Sequence, residues 1–559
     1  MEMVTVAEAI AKTIHGYGTE YYFCLTGGDH DFWIALQDEG IRIVNCRSEA
    51  SAAYMADGYA RVAGRPGFVY GQRGPGAANV AASMPDALWA HSPVIALTSS
   101  IFRRSRDRFE YQDVDTLPMY QSVTRWNREL HVPQRAAEMV HAAVNAATGP
   151  VPGPVHLEVP ADLLPQDAQQ TRIGGATGTG ALNSLRIVPD RGKLAEALAL
   201  LGQAERPLII AGNGVVSSRA FEAMAAFAAA SGIPVATTTG GKGAIDERDP
   251  LSVGVIGRYS RKVSNEILAD ADVVLAIGTR LGGLATAGWT VKLDGKTLLQ
   301  IDTNPEVFGR NYDTGMSILA DARLALETLT ELRSADAGIP RPDAWAKAVA
   351  ERIDAWREVE RDNRKPLADG MHPAAVIAAL REVMAEDDIL AADTGAIAAW
   401  AGALFPIAAG HNFIRSAGSL GWVVPGAMGA ALAAPERRTV ALTGDGGLLY
   451  HIGDLETAVR MNIPVVIVVM NNCAFGSEDH LLKHRWGGRK IPEIVDFHDV
   501  DFAAMARSFG VHGATVTEEE DLVPALRAAY AAGGPALVDI RISKEAEAPH
   551  DFPGSPRIV

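Results

Sequence analysis

Residues 439–472 read TVALTGDGGLLYHIGDLETAVRMNIPVVIVVMNN, and this stretch decides the fold of the chain. It begins with an apolar strand (439–443), passes through a tight glycine-rich turn (444–447) and a helix-like segment, and ends with a second apolar strand (465–470). Two strands joined by a helix form a βαβ unit, in which the carboxyl ends of both strands lie side by side. The stretch therefore predicts a parallel α/β sheet.

Two polar side chains follow these strands at the same edge of the predicted sheet: Asp445 after the first and Asn472 after the second. Open α/β sheets bind ligands at this edge. Carboxylate and amide oxygens suit Mg²⁺, which takes its other ligands from water and a phosphate. Gly444, Gly446 and Gly447 let backbone N–H groups approach that phosphate. The sequence thus predicts a metal and phosphate site; the alternative is a hairpin-like turn and an unrelated Asn pair.

The composition of the chain is that of a globular enzyme. Its 559 residues are enough for about three domains of ordinary size. A net charge of −16 argues against nucleic-acid binding, which needs a basic surface. The three cysteines show neither CxxC nor zinc-type spacing. The first residues lack the basic flank of a signal peptide, and no apolar run reaches membrane-spanning length, so we expect a cytoplasmic protein.

Strand and helix patterns alternate over most of the chain, which predicts doubly wound parallel sheets. A segment rich in Gly, Thr, Ser and Gln (164–189) is typical of a linker between domains. The tail is rich in proline and charge, and we expect it either to close over a site as a lid or to stay free. The expected α/β domains and tail are residues 1–165, 190–335, 345–545 and 546–559.

Several motifs resemble one enzyme family, in the same order. The GDG at 444–446, followed after 24 residues by the NN at 471–472, resembles the diphosphate-binding signature of thiamine diphosphate (ThDP) enzymes. EASAAYMADGYAR (49–61), GPGAAN (74–79) and DALWAHSPVIALT (86–98) resemble the pyrimidine-binding domain of the acetolactate synthase and benzoylformate decarboxylase group. The resemblance covers nearly the whole chain. It implies three domains, which are a pyrimidine-binding domain, a central domain and a diphosphate-binding domain, with ThDP and Mg²⁺ as cofactors.

Glu49 occupies the position of the family's glutamate that bonds the aminopyrimidine ring and shuttles a proton, so the resemblance implies a catalytic and cofactor-binding role. From the residues alone, the alternative is a carboxylate favoured by the dipole at a helix N-terminus. Two departures from the family stand close to this motif. Ser48 takes the place of a common His, and GQRGPG (71–76) replaces the frequent TSGPG, so that Gln72 faces the substrate position and is the second catalytic candidate.

Four further side chains are candidates for substrate contacts. Arg73 is either a surface salt-bridge partner or the holder of a substrate carboxylate or phosphate, which a guanidinium fork suits. The segment RDRFEYQDVDTLPMYQSVTRWN (106–127) resembles an acetolactate synthase segment. That resemblance implies Phe109, Glu110 and Gln112 as candidates for the acceptor side of the site.

On the diphosphate side, the resemblance implies a set of cofactor contacts. The Gly418 carbonyl would accept from the exocyclic amine of the aminopyrimidine, and Leu420 would be the apolar wedge that bends the cofactor; ordinary core is the alternative for Leu420. The implied metal ligands are Asp445, Asn472 and the backbone carbonyl of Ala474. The implied cofactor contacts are Thr394, Gly395, Ala396, Ile397, Gly418, Leu420, Asp445, Gly446, Gly447, Asn472, Phe475 and Gly476.

The middle of the chain carries a weaker signal. PLIIAGNG (207–214) leads into a helix as in dinucleotide-binding folds but lacks the full fingerprint. In the family, the central domain binds FAD or ADP in some members and nothing in others. Arg280 and Asp302 lie at strand ends where such a nucleotide could contact them. FAD stays an alternative that the sequence does not favour.

The resemblance implies decarboxylation of a 2-oxo acid, carboligation of the resulting enamine with a second carbonyl compound, or both, as in acetolactate synthase. One alternative is an acyl-CoA lyase or decarboxylase of the oxalyl-CoA type, and another is a catalytically silent binding homologue. In the family, the counterpart of Glu49 meets the diphosphate domain of another subunit. The chain is therefore expected to form at least a homodimer, and a homotetramer is the favoured assembly.

Overall fold

The computed structural model describes residues 4–168, 185–336, 338–362, 364–365 and 367–549. Three six-stranded sheets organise these residues, and neighbouring strands run parallel in each of them. Helices join most of the successive strands. The predicted α/β class with three doubly wound parallel sheets is confirmed. Most of the predicted linker and the end of the tail lie outside the described residues.

The N-terminal unit contains the first sheet. Its strands are β1 (Tyr21–Cys24), β2 (Arg42–Asn45), β3 (Gly67–Gly71), β4 (Val94–Ser100), β5 (Trp126–Glu129) and β6 (Val155–Pro160). They lie in the order β2-β1-β3-β4-β6-β5. The helices are α1 (Val6–Gly16), α2 (His30–Asp38), α3 (Glu49–Ala63), α4 (Pro75–Ala90), α5 (Leu117–Gln121) and α6 (Ala136–Thr148).

The central unit contains the second sheet. Its strands are β7 (Pro207–Ala211), β8 (Val235–Thr237), β9 (Ser252–Val255), β10 (Val273–Ile277), β11 (Thr297–Asp302) and β12 (Met316–Leu319). They lie in the order β12-β11-β10-β7-β8-β9. The helices are α7 (Arg191–Gln203), α8 (Asn213–Ser217), α9 (Phe221–Ser231), α10 (Lys262–Asp270), α11 (Ala322–Ala335) and α12 (Asp343–Asp362).

The C-terminal unit contains the third sheet. Its strands are β13 (Ile389–Ala392), β14 (Phe413–Arg415), β15 (Thr439–Gly444), β16 (Val465–Asn471), β17 (His512–Val516) and β18 (Ala536–Arg541). They lie in the order β14-β13-β15-β16-β18-β17. The helices are α13 (Pro373–Val383), α14 (Ala396–Leu404), α15 (Val423–Ala433), α16 (Asp445–Leu449), α17 (Leu455–Arg460), α18 (Gly476–Arg485), α19 (Pro492–Val495), α20 (Phe502–Ser508) and α21 (Leu522–Ala531).

The predicted βαβ unit lies at the centre of the third sheet. Strands β15 and β16 pair in parallel, with Gly444 opposite Met470, so their carboxyl ends meet at one edge. The prediction of a tight turn at 444–447 is wrong in one respect. Helix α16 begins at Asp445 with Gly444 as its N-cap residue, so the glycines form the first helical turn and direct its free N–H groups to the sheet edge.

The N-terminal and C-terminal units pack on each other through helices α3 and α15. Their backbones touch because glycines stand at the crossing. A Cβ on Gly58 would lie 1.9 Å from the Gly426 carbonyl oxygen, and a Cβ on Gly429 would lie 2.0 Å from the Met55 oxygen. The apolar residues around this crossing form one continuous core shared by both units.

Within the described ranges, no helix combines the length and the apolar character that crossing a bilayer requires.

Candidate cofactor site

A cavity of about 850 Å³ lies at the carboxyl edge of the third sheet. It is bounded by the N-termini of α14, α16 and α18 and by the loop after β16. The site residues predicted from sequence that line this cavity are Thr394, Gly395, Ala396, Ile397, Leu420, Asp445, Gly446, Gly447, Asn472, Ala474, Phe475 and Gly476. The structure thus brings most of the predicted diphosphate side together, while the role of each residue stays a prediction.

Asp445 is buried at the wall of this cavity. Its Oδ1 accepts from the Gly446 N–H at 2.9 Å and its Oδ2 accepts from the Ala474 N–H at 3.0 Å. Burial raises the pKa of this carboxyl to about 6. The bond to Ala474 also fixes the loop that carries Asn472, so the two predicted metal-binding side chains belong to one hydrogen-bonded corner. A buried carboxylate held by backbone donors suits a bound cation.

Asp393, which the sequence analysis missed, lies beneath the same corner. Its fully buried carboxylate accepts from the Thr394 N–H and the Thr443 hydroxyl, each at 2.9 Å, and from the Gly421 N–H at 3.1 Å. Burial raises its pKa to about 7. Asp393 thereby ties together three segments that border the cavity. The available signal was an acidic residue at the end of strand β13, directly before a Thr-Gly turn.

Glycines occupy positions of this corner where a side chain would meet close contacts or an unfavourable backbone conformation. A Cβ on Gly447 would lie 2.2 Å from Asp393 Oδ2, and a Cβ on Gly446 would lie 2.6 Å from Phe475 Cε1. Gly395 has a positive φ of 72° and is the N-cap residue of α14. Side chains at these positions would displace the walls or fill the space above the helix N-termini. The arrangement leaves backbone N–H groups facing the cavity, as anion binding requires.

Gly418 lies outside the 850 Å³ cavity and is held by another residue that the sequence analysis missed. Asp86, from helix α4, accepts hydrogen bonds from the backbone N–H groups of Ala417 at 2.8 Å, Gly418 at 3.1 Å and Ser419 at 2.8 Å. Burial opposes ionisation of Asp86, but Arg61 and the backbone donors keep its pKa below the ordinary value. A carboxylate from the N-terminal unit therefore shapes the loop that precedes Leu420.

Glu49 begins helix α3 and is 9% exposed. Its Oε2 accepts from Asn79 Nδ2 at 3.1 Å, and Ser48 caps the helix by accepting from the Ser51 N–H at 3.1 Å. Gln72 lies close by: a Cβ on Gly76 would lie 3.0 Å from Glu49 Oε1 and 3.2 Å from Gln72 Cβ. The structure therefore brings the two predicted catalytic residues together. It does not bring them to the 850 Å³ cavity of the same chain.

Arg73 faces Asp29 rather than open solvent. Its Nη2 lies 3.6 Å from Asp29 Oδ1, its backbone N–H donates to Ser99 Oγ at 3.2 Å, and its buried Nε has no partner among the described residues. Asp29 also accepts from the Tyr70 hydroxyl. Arg73 thus has the salt-bridge partner of the alternative interpretation. A substrate contact through its unpartnered Nε stays a prediction.

The predicted acceptor segment runs along the surface of the N-terminal unit. Phe109 is fully exposed and Glu110 is exposed. Gln112 has a positive φ of 64° and packs its Cβ near Gly74, at 3.1 Å from the position of a Cβ there. Only Gln112 therefore approaches the turn that carries Gln72 and Arg73.

A second cavity, of about 690 Å³, lies at the carboxyl edge of the central sheet. Arg280 and Asp302 both line it, together with Gly418. Burial raises the pKa of Asp302 to about 6. The two candidate nucleotide contacts therefore face one chamber, and no dinucleotide fingerprint accompanies them in the sequence.

The described start of the tail lies along the first cavity. Residues 546–548 line it, and the Glu545 and Lys544 N–H groups donate to Asp369 at 3.2 and 2.8 Å. Residues 550–559 are outside the described residues.

Family models for thiamine pyrophosphate (TPP) enzymes match the chain in three consecutive parts. The N-terminal TPP binding domain matches residues 4–119, the central domain residues 194–329 and the C-terminal TPP binding domain residues 393–540.

Three proteins illustrate what the chain is similar to over almost its full length. A probable acetolactate synthase large subunit of Methanocaldococcus jannaschii is 29% identical, with 98% of this chain and 93% of that protein aligned. A sulfoacetaldehyde acetyltransferase of Castellaniella defragrans is 30% identical, with 95% and 91% aligned. A putative thiamine pyrophosphate-containing protein of Bacillus subtilis is 26% identical, with 98% and 93% aligned. From these matches and from the three parallel sheets, the chain belongs to the thiamine pyrophosphate-dependent enzymes.

Proposed function

We propose that this enzyme uses ThDP with Mg²⁺ to decarboxylate a 2-oxo acid, to join the remaining acyl fragment to a second carbonyl compound, or both. The observation that carries this proposal is the corner formed by Asp445, Asn472 and the glycines of α16 in a cavity of about 850 Å³. The names of the similar proteins, acetolactate synthase and sulfoacetaldehyde acetyltransferase, support carbon–carbon chemistry of this kind.

The residues of the corner fit a diphosphate and a divalent cation. The Asp445 carboxylate, the Asn472 side-chain oxygen and the Ala474 carbonyl would hold Mg²⁺, which prefers oxygen ligands. The N-termini of α14 and α16 offer backbone N–H groups to the phosphates. Side chains at Gly446 and Gly447 would clash with Phe475 and Asp393 and so disturb this corner.

The organic end of the cofactor would meet Glu49 and Leu420. When bound, ThDP supplies a nucleophilic carbon and an electron sink for the breaking and forming of carbon–carbon bonds. Glu49 would hold or move a proton at a nitrogen of the aminopyrimidine ring. Asn79 orients the Glu49 carboxylate by donating to its Oε2. Leu420, at the wall of the cavity, would be the apolar wedge that bends the cofactor, and the Gly418 carbonyl would accept from the exocyclic amine.

The separation of Glu49 from the diphosphate cavity supports a site shared between two copies of the chain. Glu49 is held in the N-terminal unit by Asn79, and it does not line the cavity that contains Asp445. A homodimer would supply Glu49 from one subunit and Asp445 from the other. A homotetramer, as a dimer of such dimers, is the assembly that we favour.

Substrate choice rests with Gln72, Arg73 and the segment containing Glu110 and Gln112. Arg73 is already compensated by Asp29 at 3.6 Å, so a substrate anion there would share the guanidinium rather than bind it alone. An acyl-CoA lyase or decarboxylase is the alternative reaction. It would need a cationic site for the CoA phosphates, and the sequence shows no clear basic patch for one.

A panel of 2-oxo acids tests the proposal. Purified protein with ThDP and Mg²⁺ is given each acid, and CO₂ release is followed with and without aldehyde, ketone and sulfonated aldehyde acceptors. CO₂ release alone would identify a decarboxylase, and a coupled product would identify a carboligase. Turnover restricted to acyl-CoA substrates would replace the proposal by its alternative, and no turnover with any substrate would favour the silent homologue.

The central cavity is tested separately. A flavin absorption spectrum of the purified protein would identify FAD in the chamber that contains Arg280 and Asp302. A colourless, active protein would show that the proposed reaction does not need it.

A further inference from the structure

A small cavity of about 110 Å³ lies where the three units of the chain meet. The N-terminal unit contributes Arg61 and His91, the central unit Arg219, and the C-terminal unit His411 and Arg415. The volume is about that of three or four waters at liquid density, which is also room for one small tetrahedral anion but not for a nucleotide. The titratable side chains named here are all basic.

Arg415 is the residue that makes this cavity unusual. It ends strand β14, is 9% exposed, and its buried Nε has no hydrogen-bond partner among the described residues. Within the part of the chain that the structure describes, no carboxylate forms an ion pair with it, and its guanidinium lies over the Tyr259 ring at 5.8 Å. Burial lowers its pKa. A buried guanidinium is costly unless an anion or several acceptors compensate it.

Asp86 acts on Arg415 electrostatically, but its ion pair is with Arg61. Arg61 is neutralised by Asp57 at 2.5 Å and Asp86 at 3.1 Å, so these two carboxylates are already engaged. Arg219 is exposed and donates to the Val62 carbonyl at 2.8 Å.

His411 adds a donor to the same wall. Its Nδ1 is buried without a hydrogen-bond partner among the described residues. Burial, together with Arg219, Arg437 and Arg61, lowers the pKa of His411 to about 3. An anion beside it would satisfy this nitrogen and reverse the electrostatic effect of the arginines.

We propose that the cavity between the three units binds one small oxyanion, of the phosphate or sulfate type, through Arg415, Arg219 and His411. Arg415 and Arg219 would supply charge-assisted hydrogen bonds, which are the strong class of such bonds. The anion would join the three units at a point just before Ser416 and the loop that Asp86 holds. This site is distinct from the diphosphate cavity, whose lining shares none of the five basic residues, and it adjoins the central cavity of about 690 Å³, which Arg415 and His91 also line.

Inorganic phosphate is the probe that tests this site. The full-length protein, freed of phosphate and then saturated with ThDP and Mg²⁺, is titrated with inorganic phosphate by calorimetry and by thermal unfolding. We expect saturable binding of one phosphate per chain and a rise of the unfolding temperature with phosphate concentration, since a ligand that binds only the folded state stabilises it.

Three variants make the result specific. Arg415→Gln and Arg219→Gln each remove one charge and should abolish or weaken the phosphate binding at least tenfold. Arg333→Gln is the matched control, because Arg333 is also buried with an unpartnered Nε but does not line the cavity. Arg219 is exposed, so its variant keeps the test valid if Arg415→Gln does not fold.

Two results would overturn the proposal. One is no saturable phosphate binding, which would leave the cavity to water alone. The other is phosphate binding of equal strength in the wild type and in both variants.

Discussion

Asp393 occupies the space that a side chain on Gly447 would need. A Cβ at Gly447 would lie 2.2 Å from Asp393 Oδ2 and 2.6 Å from Thr443 Oγ1. The buried carboxylate and the glycine of α16 therefore form one packed pair beneath the proposed diphosphate site. Substitution of the glycine should disturb both the fold of this corner and the binding of the cofactor.

Gly447→Ala is expected to destabilise the cofactor-free protein by about 1–3 kcal/mol, the usual cost of overpacking. We also expect ThDP affinity to fall by at least about tenfold, or 1.4 kcal/mol. Thermal unfolding and calorimetry measure the two effects. Gly444→Ala is the matched control for stability, because a Cβ there would meet its nearest atom at 3.8 Å and its φ of −95° suits alanine. Equal unfolding temperatures for the two variants would contradict the clash.

Asp393→Asn should change how stability depends on pH. The folded protein holds the Asp393 proton up to a pKa of about 7, whereas the unfolded chain releases it near the ordinary value of 3.8. The folded state therefore binds more protons in this window. The contribution of Asp393 to stability is fully present below about 3.8 and declines as the pH rises through about 7, by up to about 1.4 kcal/mol per pH unit.

The variant cannot release that proton, so the wild type should lose stability relative to Asp393→Asn as the pH rises from about 4 to about 7. Denaturant unfolding at a series of pH values measures the difference. Asp387→Asn removes an exposed carboxyl of the same unit and serves as the control. Parallel pH profiles for the wild type and Asp393→Asn would show that this carboxyl is ionised in the folded state.

Local patterns sufficed to predict the sheets and one half of the site. The apolar strands around Gly444 and Asn471 pair as expected because parallel pairing and burial follow from the continuous apolar runs. The start of α16 at Asp445 was missed, since glycines next to one another are typical of turns as well as of the first turn of a helix.

The supporting residues could not be predicted, because their partners are distant in sequence. Asp86 accepts a hydrogen bond from the Ala417 N–H, 331 positions away in the sequence, and Asp393 accepts one from the Thr443 hydroxyl, 50 positions away. No local spacing encodes such contacts. Asn79 is a partial exception, since it lies within the GPGAAN motif, 30 positions from Glu49, but its amide could not be assigned a partner before the fold was known.

Removal of the proposed metal ligand should separate cofactor binding from folding. Asp445→Ala is expected to abolish the Mg²⁺-dependent part of ThDP binding, because in the proposed site this carboxylate would hold the cation beside the diphosphate. Calorimetry with and without Mg²⁺ measures this. Asp499→Ala, which removes an exposed carboxylate paired with Arg541 at 2.5 Å, should bind ThDP as the wild type does. Tight ThDP binding by Asp445→Ala, whether or not Mg²⁺ is present, would show that Asp445 is not a metal ligand.

Substitution of the proposed proton carrier should affect turnover more than binding. Glu49→Gln keeps the shape of the side chain and its contact with Asn79, but it cannot exchange a proton at the ring nitrogen. We expect turnover to fall by roughly 10² or more, with ThDP affinity changed far less. Glu138→Gln, at an exposed glutamate of the same unit, is the control. Full activity of Glu49→Gln would remove this residue from the mechanism.

The same two variants decide whether the site is shared between subunits. Glu49→Gln and Asp445→Ala are each expected to be inactive as pure proteins. If Glu49 of one subunit serves the Asp445 cavity of the other, a mixed dimer contains one site with both defects and one site with none. Unfolding and refolding an equal mixture should then restore about a quarter of the wild-type turnover, since half of the dimers are mixed and one of their two sites is intact. If both residues served one site within a single chain, every site in every dimer would carry a defect and no activity would return. Refolded wild type, treated in parallel, provides the reference for losses during refolding.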